Sequence, residues 1–290
     1  MAGWTRNRIK NVVGLILAPV VGYGLLRWFE WRQVYHPRAE HAARGGDLGV
    51  PWEEARLRAA DGVTLDAWFF STSPRARVAL VCHGNGGNIS HRLGLYAALR
   101  DVGLNVLAFD YRGYGRSAGR PSEEGTYRDA EAAYAWLRQR GFAATNILVY
   151  GESLGGGVAT ELALREPVGG LILQSTFTSI PDVGAGLFPW LPVRALATIH
   201  YDNRAKLPRV RVPVLVMHSP EDSLIPFAHA QQLFAAANPP KLFRPLVGDH
   251  NDTRLAGAQG VTEILREFLR LLDRPADEWP AAPAEPLSLP

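Results

Sequence analysis

Short apolar runs alternate along the chain with segments whose apolar residues have helical spacing. Six runs are apolar on both faces, which is typical of buried strands in a parallel sheet: Val78–Cys82, Asn105–Phe109, Ile147–Tyr150, Leu171–Leu173, Val214–Met217 and Leu242–Leu246. Apolar residues that recur every three or four positions predict helices over Gly125–Arg140, Leu154–Arg165, His229–Ala237 and Val261–Leu272. Because strands and helices alternate, the pattern predicts an α/β fold, with a mostly parallel central sheet and helices on both faces.

Two segments depart from this alternation. Ala55–Ala59 and Val63–Phe70 flank the turn dipeptide Asp61-Gly62, which predicts an antiparallel hairpin at the sheet edge. Phe177–Arg209 is rich in Pro, Phe and Trp, fits neither a strand nor a helix pattern, and lies between two predicted strands. We interpret it as a small lid over a site.

The N-terminus has the residue order of a membrane anchor. Its basic residues Arg6, Arg8 and Lys10 precede the apolar-rich run Val12–Leu26, and Arg27, Trp28, Trp31 and Arg32 follow it. The run is shorter than the ~20 residues that usually cross the hydrocarbon, but flanking basic and tryptophan side chains at the interface extend its usable length. We therefore predict that residues 1–34 are an N-terminal membrane anchor with an apolar helix.

A cleaved signal peptide, a helix packed on the domain and a helix in the plane of the membrane interface are the alternatives. The small residues of a cleavage site are absent after the run, where Arg27-Trp28-Phe29-Glu30 follows, so a retained single-pass anchor is favoured. Basic residues are nearly balanced on the two sides. We favour a cytoplasmic N-terminus and a catalytic domain on the non-cytoplasmic side.

Composition narrows the function classes. Hydrophobic residues make up 47% and charged residues 20%, as in an ordinary globular protein. A chain of 290 residues has room for one large single-core domain with appendages, so residues 35–274 are predicted to be one catalytic domain. Residues 275–290 are Pro- and Ala-rich and predict a disordered tail. A net charge of +3 on scattered arginines argues against nucleic acid as a partner. The only cysteine, Cys82, excludes an internal disulfide and is interpreted as a buried structural thiol; no metal and no cofactor are expected, and the oligomeric state stays open.

The strongest motif lies between the third predicted parallel strand and the helix after it. Gly151-Glu152-Ser153-Leu154-Gly155 has the G-x-S-x-G pattern of a nucleophile elbow, in the strand-to-helix context that the elbow requires. Gly151 and Gly155 supply the room that a sharp turn needs, and the helix N-terminus behind Ser153 favours developing negative charge. The motif predicts Ser153 as the nucleophile.

A serine hydroxyl needs a base, and the base needs a carboxylate that fixes its tautomer. Glu221 and Asp222 follow the strand Val214–Met217, and His250 follows Leu242–Leu246, so these residues lie at the same sheet edge as Ser153. We predict Asp222 as the acid, with Glu221 as its rival, and His250 as the base. Seven other histidines compete with His250, but five of them fall outside the loops at strand ends: His36, His41, His91, His200 and His229.

A glycine-rich loop follows the first parallel strand. Its sequence, Cys82-His83-Gly84-Asn85-Gly86-Gly87-Asn88, is that of the loop that presents a backbone N–H to a tetrahedral oxyanion. We assign the two oxyanion-hole donors to the backbone N–H groups of Asn85 and Leu154. His83 lacks companions at metal-ligand spacing and is interpreted as a structural residue of the loop.

Several of these motifs, taken together, resemble one known family. They are the His83-Gly84-Asn85 loop, Asp110-Tyr111-Arg112-Gly113-Tyr114-Gly115-Arg116-Ser117, the elbow at Ser153, the Asp222 loop and Gly248-Asp249-His250. The chain from about Tyr35 to Leu272 resembles an α/β-hydrolase of the Bem46 type, related to the ABHD12, ABHD13 and ABHD17 branches. The resemblance implies a hydrolase of lipid-like acyl esters or thioesters, and an N-terminal membrane segment is common in that group.

Two places in these motifs need a separate interpretation. Asp249 stands where relatives often have a second glycine. The carboxylate and arginines of the segment from Asp110 to Ser117 are interpreted as bracing loops near the site, with substrate binding by Arg112 as the alternative.

The predicted function is therefore a membrane-anchored serine hydrolase that cleaves an ester or thioester through an acyl-enzyme. Phe177, Phe188, Trp190 and Leu191 lie in the predicted lid and are candidates for an apolar substrate pocket. The alternatives are a catalytically silent scaffold that acts as a membrane-tethered binding protein, and a peptidase, haloperoxidase-like enzyme or carbon–carbon bond hydrolase with the same triad.

Overall fold

A computed structural model describes residues 19–255, 260–275 and 278–280. Most of the predicted tail and the part of the predicted apolar run before residue 19 lie outside the described residues. The strands are β1 (His36–Pro37), β2 (Trp52–Arg58), β3 (Thr64–Phe70), β4 (Val78–Cys82), β5 (Gly86–Gly87), β6 (Asn105–Phe109), β7 (Ile147–Glu152), β8 (Gly170–Gln174), β9 (Val214–His218) and β10 (Lys241–Pro245).

Helices connect these strands. Residues 19–34 form α1, and the further α-helices are α2 (Leu93–Asp101), α3 (Glu123–Gln139), α4 (Leu154–Arg165), α5 (Ile180–Leu187), α6 (Val193–Leu196), α7 (Asn203–Lys206), α8 (Ala228–Ala236) and α9 (Val261–Leu272). Short 3-10 turns lie at Gly45–Leu48, Ile89–Arg92, Ala144–Asn146 and Leu207–Arg209. Four of the predicted helices are found within two residues of their expected bounds.

Eight strands form the central sheet in the order β10-β9-β8-β7-β4-β6-β3-β2. The six strands from β10 to β6 are parallel, and β3 and β2 are antiparallel at the edge. The predicted α/β architecture and its mostly parallel sheet are confirmed. Since β7, β9 and β10 run in the same direction, the loops after them meet at one edge, where Ser153, Asp222 and His250 lie.

Alternate residues of each central strand enter two different layers of the core. In β4, Val78 and Leu80 pack on the face covered by α3, α4 and α8, whereas Ala79 and Val81 pack on the face covered by α2 and α9. Both faces are thus shielded by helices, which is why these strands are continuously apolar.

α2 was not predicted from the sequence. It is short and follows the glycine-rich loop and a 3-10 turn directly, so its helical spacing is brief. Its Leu95 and Leu99 nevertheless pack in the same core layer as Phe268 of α9. Trp279, in the segment predicted as a tail, also belongs to this layer and packs edge-on against Phe268 at 5.9 Å between ring centres.

Residues 177–209, named here the lid segment, contain α5, α6 and α7. The C-terminal half of α1 lies against this segment. Glu30 accepts hydrogen bonds from the N–H groups of Thr198 and Ile199 at 2.7 and 3.0 Å, and Arg27 donates to the Thr198 hydroxyl at 2.6 Å. Among the residues that the structure describes, no helix has the length and apolar character needed to cross a membrane.

Candidate active site

Ser153 lies in the turn between β7 and α4. Its backbone has φ +51° and ψ −116°, in a region that residues other than glycine rarely adopt. A Cβ atom at Gly155 would lie 1.9 Å from the carbonyl oxygen of Cys82, and one at Gly151 would lie 2.6 Å from the carbonyl oxygen of Gly155. The sharp turn therefore requires glycine at both flanking positions.

The structure brings the three predicted catalytic side chains into one hydrogen-bonded row. His250 Nε2 lies 3.1 Å from Ser153 Oγ, and His250 Nδ1 lies 2.7 Å from Asp222 Oδ2. Three loops supply these side chains, one after each of β7, β9 and β10. With a carboxylate at Nδ1, the imidazole presents an unprotonated Nε2 to the serine hydroxyl.

The carboxylate of Asp222 is held by further donors. Its Oδ1 accepts hydrogen bonds from the N–H groups of Leu224 and Ile225 at 3.0 and 2.7 Å, and His218 Nε2 lies 3.2 Å from Oδ2. Burial works to raise the pKa of Asp222, but hydrogen bonds from His218, His250 and Ile225 outweigh it and hold the pKa below its usual value. Asp222 is therefore ionised at neutral pH.

The two acidic neighbours of the triad have other partners. Glu221 Oε2 accepts a hydrogen bond from the N–H of Gly248 at 3.1 Å and does not contact His250. Asp249 Oδ1 accepts from the N–H groups of Ser223 and His250 at 2.8 and 2.7 Å. Asp249 thus joins the loop that carries His250 to the loop that carries Asp222.

The oxyanion loop is oriented by buried groups. His83 Nδ1 lies 2.7 Å from the carbonyl oxygen of Gly84, and this contact fixes the peptide plane whose N–H belongs to Asn85. The other ring nitrogen of His83 lies 3.4 Å from Asp110 Oδ1, and this oxygen accepts a hydrogen bond from the N–H of Ile89 at 2.8 Å. His83 and Asp110 are both fully buried, so they hold the loop from its side facing the protein interior.

Two cavities of opposite character meet at Ser153. The first, named the inner cavity, has a volume of about 120 Å³ and is mostly apolar. Its lining consists of Gln33, Val34, Asn85, Ser153, Leu154, Phe177, Ile180, Val183, Gly184, Leu187, Phe188, Leu224 and Ile225. Asn85 and Leu154, whose backbone N–H groups are the predicted oxyanion donors, both line this cavity together with Ser153.

The second, named the polar cavity, has a volume of about 400 Å³. It is lined by His36, Arg38, Gly84, Asn85, Gly86, Gly87, His91, Arg92, Glu152, Ser153, His250 and Asn251. Arg92 Nε donates to Glu152 Oε2 at 3.2 Å, and Arg92 Nη1 donates to the carbonyl oxygen of Gly86 at 2.7 Å. Burial works to raise the pKa of Glu152, but Arg92 outweighs it and holds the pKa below its usual value.

The predicted pocket residues separate into two groups. Phe177 and Phe188 line the inner cavity. Leu191 does not line it and instead lines a neighbouring cavity against α1. Trp190 lines neither cavity and is 78% exposed, because the segment after α5 turns its side chain outward, and its ring packs edge-on against Phe188.

Arg112 is held away from both cavities. It donates to Asp129 Oδ1 at 2.8 Å and to Asp61 Oδ2 at 2.7 Å, which agrees with a bracing role.

The thiol of Cys82 is fully buried, and burial raises its pKa.

Sequence reasoning missed His218 and most of the polar cavity. His218 ends β9 four residues before Asp222, and this strand-end position was its only signal. The sequence showed no recognisable motif at the other positions, which are His36, Arg38, His91 and Arg92.

Among the described residues, one group of side chains could hold a metal ion. It consists of His41, Asp66 and Asp110, each of which brings one ligand atom within 4.8 Å of the others.

Comparisons with known proteins indicate the class of this protein. A family profile described as serine aminopeptidase, S33, matches residues 72–204. Protein bem46 of Schizosaccharomyces pombe is 31% identical over 93% of this chain and 97% of its own length. An uncharacterized membrane protein of Saccharomyces cerevisiae is 31% identical over 88% of this chain and 94% of its own length.

A lysophosphatidylserine lipase of Danio rerio is 34% identical over 64% of this chain, and the alignment covers 52% of the lipase. Among solved structures, an esterase of Pyrococcus furiosus superposes with a TM-score of 0.67 at 19% identity, over 82% of this chain and 97% of the esterase. The fold and these likenesses define the class of the protein, a serine hydrolase similar to esterases and lipases. Within that class, the chain belongs to the α/β-hydrolase family, in the branch that contains Bem46.

Proposed function

We propose that this protein hydrolyses a carboxylic ester or thioester with a lipid-like acyl group, through an acyl-enzyme on Ser153. The observation that carries the proposal is the hydrogen-bonded row from Ser153 through His250 to Asp222, at the junction of an apolar and a polar cavity. An apolar acyl group fits the inner cavity, and a polar leaving group fits the polar cavity.

The reaction begins when Ser153 Oγ attacks the carbonyl carbon and His250 Nε2 takes the hydroxyl proton. Asp222 stabilises the imidazolium that forms. The backbone N–H groups of Asn85 and Leu154 stabilise the oxyanion of the tetrahedral intermediate. His250 then gives its proton to the leaving alcohol or thiol, and water activated by the same histidine releases the carboxylic acid.

A fluorophosphonate probe tests the nucleophile. It should label the wild type, and Ser153→Ala should abolish labelling and ester hydrolysis. Ser175→Ala is the matched control, because Ser175 follows the adjacent strand β8 and also has a left-handed backbone, φ +48°. Labelling that survives in Ser153→Ala would contradict the proposal, and a wild type that is never labelled would favour the silent scaffold.

A substrate panel tests the bond that is cleaved. Acyl esters and thioesters of several chain lengths should be hydrolysed faster than peptide amides. The family profile carries the description of an aminopeptidase, so peptides with free N-termini belong in the same panel. Faster cleavage of such peptides would mean that the protein is a peptidase and not an acyl-ester hydrolase.

We also propose that α1 and the chain before it hold the catalytic domain at a membrane, on the non-cytoplasmic side. α1 exposes a series of large apolar side chains that the domain does not cover: Val20, Val21, Tyr23, Leu25 and Trp28. Such a surface is costly in water and is favoured at a lipid interface.

Deletion of residues 2–24 tests the anchor, since it keeps Arg27 and Glu30 on the lid segment. The truncated protein should move from the membrane to the soluble fraction and stay active, whereas the full chain should require detergent. Full-length protein that is soluble with an intact N-terminus would contradict the anchor, and a soluble form that begins after Leu26 would indicate a cleaved signal. Protease protection of the domain in sealed cells reports its side of the membrane.

A further inference from the structure

A second apolar cavity lies between α1 and the lid segment. This outer cavity has a volume of about 70 Å³. It is lined by Leu26, Arg27, Phe29, Glu30, Gln33, Val34, Ile180, Gly184, Phe188, Leu191, Val193, Leu196 and Ala197. The proposed reaction at Ser153 does not involve this cavity.

The outer cavity adjoins the inner cavity. Five residues line both: Gln33, Val34, Ile180, Gly184 and Phe188. The two spaces therefore share one wall. From Val34 back to Leu26, the outer cavity follows α1 for about 12 Å, at the rise of an α-helix.

Polar contacts fix α1 as the second wall of this space. Glu30 accepts from the N–H and hydroxyl of Thr198 at 2.7 and 2.8 Å, and it is paired with Arg27 at 2.9 Å. Arg27 also donates to the carbonyl oxygen of Leu196 at 2.5 Å. Arg27 and Glu30 are thus paired with each other and with the backbone of the lid segment, and only Arg27 Nε among their described atoms is buried without a hydrogen-bond partner. Apart from these two residues and Gln33, the lining is apolar, which favours an apolar ligand.

We propose that the outer cavity binds the distal part of a long acyl chain and that α1 is thereby part of the substrate site. The proposal rests on the proposed function, because the chain must extend from an acyl group held at Ser153. The ester carbonyl lies at Ser153, the first part of the chain fills the inner cavity, and the remainder passes Phe188 and lies along α1. The residues of α1 and of the lid segment that line the outer cavity then determine chain-length specificity.

Ala197→Phe tests this, because Ala197 lines the outer cavity and not the inner cavity. The larger side chain should displace methylene groups of a long chain. The ratio of kcat/KM for a C16 ester to kcat/KM for a C4 ester should fall about tenfold or more, as expected for the loss of two or more buried methylenes. Ala195→Phe is the matched control, since Ala195 lies two residues earlier in α6, is exposed and lines neither cavity.

Leu191→Ala is a second variant with the opposite effect on volume. Leu191 also lines only the outer cavity, and its truncation should move the chain-length optimum toward longer esters. The rate of fluorophosphonate labelling reports whether the Ser153 site is intact in each variant.

Four results would contradict the inference. An unchanged C16 to C4 ratio in Ala197→Phe, or an equal change in Ala195→Phe, would overturn it and leave the proposed function standing. An equal fall in kcat/KM for both esters, with normal fluorophosphonate labelling, would also show that the outer cavity does not discriminate between chain lengths. A wild type that hydrolyses no ester of any length would overturn the proposed function, and the inference with it.

Discussion

His218 Nε2 lies 3.2 Å from Asp222 Oδ2, so two imidazoles contact the same oxygen of the triad carboxylate. The same nitrogen of His218 lies 2.8 Å from the carbonyl oxygen of Ile225. Both neighbours are acceptors, which places a proton on this nitrogen. His218 is 1% exposed, and we infer that it positions Asp222 for its contact with His250.

His218→Phe should lower kcat on an ester about tenfold, the effect of losing one hydrogen bond to a charged group. It also removes a donor that lowers the pKa of Asp222, so that pKa should rise. Because a residue that positions the triad acts on the chemical step, kcat on a short ester should fall while KM changes little. His200→Phe, an exposed histidine of the lid segment, is the control. An unchanged kcat, or an effect confined to KM, would mean that His218 does not position the triad.

The choice of acid can be tested with a pair of neighbouring variants. Asp222→Asn should lower kcat on the order of 10⁴-fold, because the amide no longer fixes the tautomer of His250. Glu221→Gln should change kcat far less, since the Glu221 carboxylate contacts the N–H of Gly248 and not the histidine. Steady-state kinetics on a short ester compares the two, and the reverse order of effects would make Glu221 the acid.

His83 gives a prediction about the oxyanion hole. Its contact with the carbonyl oxygen of Gly84 orients the peptide that carries the Asn85 N–H. His83→Ala should therefore weaken stabilisation of the oxyanion and lower kcat about tenfold or more, with little change in KM, because the N–H acts chiefly in the transition state. The melting temperature separates this effect from general destabilisation. A higher KM at unchanged kcat would place His83 in substrate binding instead.

Local sequence was sufficient where one element determines the feature. β4 and β6 have the bounds predicted from their apolar runs, and the elbow at Ser153 was recognisable from its two glycines. Long-range packing was not predictable. Glu30 and Thr198 are 168 residues apart, and no local pattern indicates that α1 lies on the lid segment. The outward position of Trp190 likewise depends on how that segment turns, which hydrophobicity alone does not specify.

The ion pair between Asp61 and Arg112 predicts how stability depends on pH. Arg112 donates to both oxygens of Asp61, at 2.7 and 3.1 Å. This hydrogen bond lowers the pKa of Asp61 from 3.8 to about 2. A carboxyl whose pKa is lower in the folded state stabilises the fold above its unfolded pKa, and this contribution is lost as the pH falls through its folded pKa.

Asp61→Asn should therefore reduce the free energy of unfolding at neutral pH, by no more than about 1 kcal/mol because the pair is partly exposed. The difference from the wild type should shrink between about pH 4 and pH 2, where the wild-type carboxylate also becomes neutral. Urea unfolding across this pH range measures it. Glu54→Gln is the control, since Glu54 and Arg116 are 3.6 Å apart and both about half exposed. A deficit in Asp61→Asn that is constant down to the lowest pH would show that the hydrogen-bond geometry at Arg112, and not the charge of Asp61, supplies the stability.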